Sequence, residues 1–247
     1  MSRRVHIFIP CYVDQYFPQV GISLVNILRE VGCEPIYLSE QTCCGQPAYN
    51  SGYAAECASI AERFLSLFAD AETIVAPSGS CVSQVKKHYH DLELSGEGIQ
   101  RYEKLKSRVF ELSQFLVDEL GITSWEGRLN ETVTYHDACH GLRELGIQQQ
   151  PRQLLSSIEG LTLNEMHRPD TCCGFGGTFA VKFPGISIAM VENKAQWIKD
   201  SGATCVLAWY SSCLMHIGGY IRREGMPLKT QHYAEILWQA RQNLKNS

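Results

Sequence analysis

The sequence lacks most of the short motifs that mark cofactor-binding enzymes. Its glycines form neither the Gly-x-Gly-x-x-Gly pattern of dinucleotide sites nor the Gly-x-x-x-x-Gly-Lys pattern of phosphate loops. It also has no Cys-x-x-Cys pair, which argues against the usual knuckles of structural zinc sites and excludes the dense cysteine run of bacterial ferredoxins. The chain therefore has no evident hydride acceptor, and any electrons it handles must pass to or from another protein.

Strong net charge and long apolar runs are absent as well. The formal charge is −4 over 247 residues, which gives no basic surface for nucleic acid and no polybasic membrane anchor. The apolar run near the start, VHIFIP, is shorter than the core of a signal peptide, and no later run has the length that spans a bilayer. We therefore expect a cytoplasmic protein that neither binds nucleic acid nor spans a membrane.

Cysteine is the residue that the sequence has in excess, with eleven copies. Disulfides are rare in a reducing compartment, so this number favours metal binding or redox chemistry. Cys33, Cys57 and Cys205 lie in or beside apolar strand and helix patterns, and we interpret them as small buried hydrophobic residues.

The other eight cysteines form the same pattern in each half of the chain. A single cysteine follows a short apolar run, Thr-Cys-Cys-Gly follows at 32 or 33 positions, and a last cysteine lies 37 or 40 positions beyond the pair. We predict two repeats, 1–125 and 126–247. The first quartet is Cys11, Cys43, Cys44 and Cys81, and the second quartet is Cys139, Cys172, Cys173 and Cys213.

Strand-like apolar runs alternate with helical patterns in both repeats. The predicted strands are 5–9, 35–38, 73–76, 133–136, 161–165 and 204–208. The predicted helices are 54–69, 151–158, 186–200 and 233–244, with a charged, solvated helical excursion at 88–108 and a seam at 121–131. This alternation predicts an α/β fold of two similar repeats with parallel sheets.

Each cysteine of a quartet falls at or just beyond the carboxyl end of a predicted strand, so each quartet should converge at one edge of its sheet. A metal centre compensates the charge of four thiolates, and both zinc and a four-iron cluster accept four cysteines. A vicinal pair reaches neighbouring irons more readily than one small ion, and Gly45 and Gly174 let backbone N–H groups approach sulfur. We expect one [4Fe–4S] cluster per repeat, with zinc as the alternative in one site.

The doubled pattern resembles the cysteine-rich CCG domain family, which includes the cysteine-rich subunit of heterodisulfide reductase and the iron–sulfur subunit of glycolate oxidase. Five blocks are similar to those of the lactate-utilisation protein A family: QTCCGQPAYNSGY, APSGSCVSQV, YHDACHGLRELGI, DTCCGFGGTF and SSCLMHI. The resemblance implies an iron–sulfur subunit of a three-component cytoplasmic complex that oxidises L-lactate, a small 2-hydroxy acid, to pyruvate. Its implied partners are a ferredoxin-type iron–sulfur subunit and a third, small subunit.

The sequence departs from the fullest form of that family's motif, in which a final Cys-x-x-Cys completes a five-cysteine, non-cubane site. Ser78 and Tyr210 stand at the first of those two positions. The remaining four cysteines suit an ordinary four-iron cluster and argue against disulfide-cleaving chemistry. Two alternatives stay open: a thiol–disulfide reductase of the heterodisulfide type, and a zinc-stabilised interaction module without enzymatic activity.

The segment HDACH places two histidines around Cys139. His136 and His140 are candidates for tuning a cluster, carrying protons or replacing a thiolate, and hydrogen-bonded loop histidines are the other interpretation. Arg143 and Asp137 are candidates for orienting a substrate carboxylate or a partner surface. The sequence does not indicate which residue, if any, is catalytic.

Overall fold

The computed structural model describes residues 2–246 and divides into two compact units between Phe115 and Leu116. Each unit contains a four-stranded, all-parallel sheet with helices. The predicted fold class, two similar α/β repeats with parallel sheets, is therefore confirmed. The limits predicted for the repeats, 1–125 and 126–247, stay a prediction. No helix among residues 2–246 has both the length and the apolarity to cross a bilayer.

The first unit alternates strands and helices along the chain. Its strands are β1 (Arg3–Ile7), β2 (Cys33–Tyr37), β3 (Ile74–Ala76) and β4 (Val109–Glu111). Its helices are α1 (Cys11–Tyr16), α2 (Pro18–Glu30), α3 (Gln46–Asn50), α4 (Ala54–Leu67), α5 (Gly79–Ser83), α6 (Gly96–Leu105) and α7 (Leu112–Gln114). A π-helical turn, Gln84–His88, continues α5, and a 3₁₀ turn, Tyr89–Asp91, follows it.

The second unit repeats this alternation. Its strands are β5 (Arg128–Tyr135), β6 (Glu159–Leu163), β7 (Cys205–Ala208) and β8 (Lys229–His232). Its helices are α8 (Cys139–Leu145), α9 (Gln149–Ser156), α10 (Thr178–Lys182), α11 (Pro184–Asp200), α12 (Ser211–Arg223) and α13 (Tyr233–Lys245). Further π-helical backbone, Phe115–Glu119, lies where the chain passes from one unit to the next.

Both sheets have the same strand order, β2-β1-β3-β4 in the first unit and β6-β5-β7-β8 in the second. In each sheet the second strand along the chain pairs with one edge of the first strand, and the third strand pairs with its other edge. That strand therefore borders a topological switch point, where an open parallel sheet leaves a crevice beyond its carboxyl ends. In each unit the cysteines of the quartet follow the three strands that meet there, and none of them follows the fourth strand of the same sheet.

The central strands and the longer helices bury apolar faces. Every residue of β3 and of β7 is buried, as expected of parallel strands covered on both sides. Helix α4 buries Cys57, Ala61, Phe64 and Leu65, whose spacing places them on one face of the helix. The apolar residues on these faces form part of the core of the first and second units.

The structure differs from the sequence predictions at several places. Strands β4 and β8 were not predicted, because β4 is only three residues long and β8 reads Lys-Thr-Gln-His, with no apolar alternation. The seam predicted at 121–131 runs into β5, which begins at Arg128. The excursion predicted as solvated contains α6, which buries Tyr102 and Leu105.

Candidate metal centre

The first quartet lies at the carboxyl edge of the first sheet. Cys11 is the first residue of α1, Cys43 and Cys44 lie in the loop after β2, and Cys81 lies in α5. The Sγ atoms of Cys11 and Cys43 are 3.8 Å apart. Cys44 shares hydrogen bonds with both Cys43 and Cys81. The four sulfur atoms therefore form one continuous chain of contacts.

The second quartet repeats this arrangement. Cys139 is the first residue of α8, Cys172 and Cys173 lie in the loop after β6, and Cys213 lies in α12. Hydrogen bonds join Cys139 to Cys172, Cys172 to Cys173, and Cys173 to Cys213. Residues more than 30 positions apart in sequence thus meet in both units.

Each quartet has a buried side and a side that borders solvent. The second cysteine of each pair and the last cysteine are buried, whereas the first cysteine of the quartet and the first of the pair are half-buried. A group bound by the four sulfurs would therefore lie at the surface of its unit.

Proton sharing between the sulfurs separates their pKa values. The hydrogen bond from Cys11 lowers the pKa of Cys43 to about 3, and the same bond raises the pKa of Cys11. In the second quartet, hydrogen bonding with Cys173, and to a smaller extent with His136, lowers the pKa of Cys213 to about 6. Each quartet thus combines thiolates with thiols that hold protons, and a bound cation would displace those protons.

A glycine follows each vicinal pair and brings its backbone against sulfur. The N–H of Gly45 donates to Cys43 Sγ at 3.4 Å, and the N–H of Gly174 donates to Cys172 Sγ at 3.3 Å. Both glycines have a φ close to +90°, in the left-handed half of conformational space. A Cβ atom on Gly174 would also lie only 2.7 Å from the backbone oxygen of Ser187. Glycine is therefore required there for both conformation and space.

The comparisons with known proteins agree with this doubled site. The model of the cysteine-rich domain family matches residues 5–86 and 133–218. Lactate utilization protein A of Halalkalibacterium halodurans is 44% identical over 95% of this chain and 96% of its own length. The proteins of that name from Exiguobacterium sp. and, as protein A 2, from Bacillus cereus are also 44% identical over 95% of this chain, covering 96% and 97% of their own lengths.

The chain belongs to the lactate utilization protein A family. Among solved structures, a hypothetical protein from Helicobacter pylori aligns with a TM-score of 0.71 and 12% identity. That alignment covers 99% of this chain and 51% of the other chain. At this level of identity the likeness concerns the fold alone.

Within this member of the lactate utilization protein A family, one of the candidate side chains reaches the buried sulfurs of the second quartet. A ring nitrogen of His136 lies within 4.8 Å of the Sγ atoms of Cys173 and Cys213. His140 Nδ1 lies 3.4 Å from Cys139 Sγ, at the half-buried side. Arg143 lies exposed on α8.

Asp137 has a structural partner. Its carboxylate is fully buried and accepts two hydrogen bonds from Arg152, at 2.8 and 2.9 Å. Arg152 also binds Glu165, at 2.6 and 3.0 Å. This ion-pair network connects α9 to the segment that carries His136. Asp137 therefore helps to fix the position of that segment and does not face a substrate.

Ser78 and Tyr210 occupy equivalent positions just before α5 and α12. Ser78 and Ser80 donate hydrogen bonds that help to lower the pKa of Cys81, after the larger effect of Cys44. Tyr210 is buried and packs edge-on against Trp209, with ring centroids 6.5 Å apart. Ser78 therefore contacts the first site through hydrogen bonding, and Tyr210 is a packing residue.

The cysteines outside the quartets are buried, as the sequence indicated. Cys33 and Cys205 begin β2 and β7, so they lie at the amino ends of the strands, opposite the quartets. Cys57 is buried behind the first quartet, where its Sγ donates to the carbonyl of Gly45 at 3.4 Å.

The sequence does not single out Ser187, Lys194 or His216, which border the second site. Ser187 Oγ donates to the carbonyl of Gly174 at 2.8 Å and lies 3.2 Å from His216 Nε2. Lys194 is fully buried, and burial lowers its pKa to about 8. Ser187 could have been found in the sequence only by comparing the repeats. It lies nearly as many positions after its Cys-Cys-Gly segment as Cys57 lies after the segment in the first repeat.

The donor set of each quartet fits a metal centre. Thiolates select zinc, copper(I) and iron–sulfur clusters, and backbone N–H groups on sulfur accompany cluster sites. Four convergent thiols, proton sharing and the glycine contacts are the features expected of residues that release protons to bind such a centre.

Proposed function

We propose that this chain is the iron–sulfur subunit of a multi-component cytoplasmic oxidoreductase that oxidises L-lactate to pyruvate. The observation that carries the proposal is the convergence of four cysteine thiols in each unit at the carboxyl edge of a parallel sheet. The relatives named for lactate utilization, at 44% identity over nearly the whole chain, supply the choice of substrate.

The proposal assigns all eight quartet cysteines as ligands, four to a [4Fe–4S] cluster in each unit. Such a cluster, when bound, supplies electron transfer. The residues of the chain hold and insulate it: the buried thiols anchor it, and the N–H groups of Gly45 and Gly174 stabilise negative charge on sulfur. The half-buried thiols leave one side near the surface, where a partner protein can approach.

The oxidation of L-lactate to pyruvate removes two electrons and two protons, from the hydroxyl group and the carbon that bears it. The chain has no dinucleotide or flavin motif that would accept a hydride. In the proposal the electrons therefore leave for a ferredoxin-type iron–sulfur subunit, and a third, small subunit completes the complex. The heterodisulfide-type alternative is not favoured, because Ser78 and Tyr210 stand where a fifth cysteine would be needed.

The test is anaerobic purification of the full chain with its two partner subunits, followed by iron and acid-labile sulfide analysis and a lactate-dependent dye-reduction assay. We expect Cys43→Ser and Cys172→Ser each to remove the iron of one site and to slow dye reduction. Cys33→Ser is the matched control, because Cys33 is buried at the opposite end of its sheet, and it should retain both. Colourless protein with stoichiometric zinc, or dye reduction unaffected by either quartet variant, contradicts the proposal.

A further inference from the structure

The two sites share a backbone but differ in the side chains behind the cysteines. The residue that follows β1 is Phe8, and its N–H donates to the carbonyl of Val75 at 3.0 Å. The residue that follows β5 is His136, and its N–H donates to the carbonyl of Leu207 at 2.8 Å. Val75 and Leu207 are the register partners of the last residues of these two strands. Phe8 and His136 therefore occupy equivalent positions.

A second pair of equivalent positions follows from the helices that pack behind the vicinal cysteines. Cys57 in α4 and Ser187 in α11 each donate a hydrogen bond to the carbonyl of the glycine after the pair. Phe64 and Lys194 lie seven positions later, two turns along the same helix face. Phe64 in the first unit therefore corresponds to Lys194 in the second.

The first site is backed by an aromatic pair and the second by a polar pair. Phe8 and Phe64 pack edge to face, with ring centroids 5.0 Å apart. In the second unit His136 Nδ1 and Lys194 Nζ lie 3.2 and 3.4 Å from the same atom, the carbonyl oxygen of Pro169. His136 and Lys194 are both buried. Burying two polar side chains costs free energy, and the aromatic pair of the first unit has no such cost. The cost indicates that His136 and Lys194 have a role at the second site.

The carbonyl of Pro169 determines which nitrogen of His136 is basic. A carbonyl oxygen only accepts hydrogen bonds, so the Nδ1 atom that faces it carries the proton. Nε2 is then the nitrogen with a lone pair. Histidines that bind metals commonly donate their other N–H to a backbone carbonyl in this way. His136 is thus oriented as a ligand, with a ring nitrogen within 4.8 Å of the Sγ atoms of Cys173 and Cys213.

We propose that His136 contributes an imidazole nitrogen to the metal centre of the second quartet, in place of one of the four thiolates that the proposed function assigns to it, so that the two sites have different donor sets. The inference rests on the proposed function only in placing a metal at that quartet. Zinc accepts mixed cysteine and histidine ligands, and in iron–sulfur centres histidine ligands raise the reduction potential. If both sites hold clusters, the second therefore has the higher reduction potential.

His140 is the competing ligand, and its surroundings are different. Its Nδ1 lies 3.4 Å from the half-buried Cys139 Sγ, and its ring packs edge-on near Tyr210. Substituting His136 and His140 separately therefore distinguishes the two. His167 is a third reference, since it is exposed and contacts Trp197 rather than a cysteine of the quartet.

The first experiment uses the full chain, free of clusters and kept reduced, in a Cys43→Ser background that disables the first quartet. Co²⁺ is titrated and followed by thiolate-to-cobalt charge-transfer absorption. Loss of a group that only hydrogen-bonds a metal ligand costs about 10–100-fold in affinity, so we expect His136→Gln, which removes a ligand, to weaken Co²⁺ binding by at least about 10-fold. His140→Gln and His167→Gln should leave the affinity within about 2-fold. Equal affinity in His136→Gln and His167→Gln, or the large loss in His140→Gln instead, overturns the inference.

The second experiment uses only the wild-type chain, so its result does not depend on whether a variant folds. In the ¹⁵N-histidine NMR spectrum of the wild-type chain, Zn²⁺ should move one Nε2 resonance from the basic range to the metal-bound range. Spectra in which every histidine is unchanged by stoichiometric Zn²⁺ overturn the inference. Absence of iron and sulfide after anaerobic purification, with this shift intact, would remove the proposed function and leave His136 as a ligand.

Discussion

Gly174→Ala tests the close approach of the backbone to the second quartet. Gly174 has a φ of +88°, and a Cβ atom there would lie 2.7 Å from the backbone oxygen of Ser187 and 2.8 Å from Met190 Cβ. The first of these atoms belongs to the main chain of α11, which cannot move aside without disturbing the helix. An alanine at position 174 would therefore have an unfavourable backbone conformation and a steric clash with the main chain of α11.

The magnitude follows from these two effects. A left-handed conformation costs an L-residue about 1–2 kcal/mol, and overpacking of a tight site costs about 1–3 kcal/mol, so Gly174→Ala should destabilise the second unit by about 2–5 kcal/mol. Gly202→Ala is the matched control. Gly202 has a φ of +73° with no atom within 4 Å of an added Cβ, and it lies at the amino end of β7. Its cost should be the conformational part alone, about 1–2 kcal/mol.

The assay is urea unfolding of the metal-free, reduced chain, followed by tryptophan fluorescence. All four tryptophans follow residue 115, so the signal reports the second unit. The free energy of unfolding should fall more in Gly174→Ala than in Gly202→Ala, and metal loading of the second quartet should weaken in the first variant only. Equal destabilisation by the two variants would show that the approach of Ser187 to Gly174 does not constrain the site.

Three further predictions use the same unfolding assay. Ser187→Ala leaves the carbonyl of Gly174 without its hydrogen bond and should cost about 1–3 kcal/mol; an unchanged midpoint contradicts that bond. Arg152→Met leaves the buried Asp137 carboxylate without its ion-pair partner and should lower the free energy of unfolding by about 3–5 kcal/mol. The double variant with Asp137→Asn should recover most of this loss, and no recovery argues against the ion pair. Burial lowers the pKa of Lys194 from 10.5 to about 8, so the unfolded state holds more protons between these values. The stability of the metal-free chain should therefore rise with pH across that window, and Lys194→Met should abolish the rise.

The convergence of each quartet could be predicted from the sequence because it follows from periodicity. Short apolar runs alternating with helical patterns imply parallel strands, and the carboxyl ends of parallel strands lie at one edge. Cysteines just beyond three such runs, such as Cys11, Cys43 and Cys81, must then meet, whatever the details of the loops. Strand β8 could not be predicted, because its own residues lack the alternation of a strand. It becomes a strand by pairing with β7.

The sequence by itself determined the two quartets, the repeated α/β fold and the glycines beside the sulfurs, since all of these follow from local patterns and their spacing. Only the tertiary structure decided that the two sites differ, because the role of His136 depends on a carbonyl at Pro169, 33 positions away, and on Lys194 two helical turns beyond Ser187. In the first unit the same backbone positions carry Phe8 and Phe64, which pack against each other. A side chain's chemistry depends on the neighbours that folding brings to it, and no local pattern contains them.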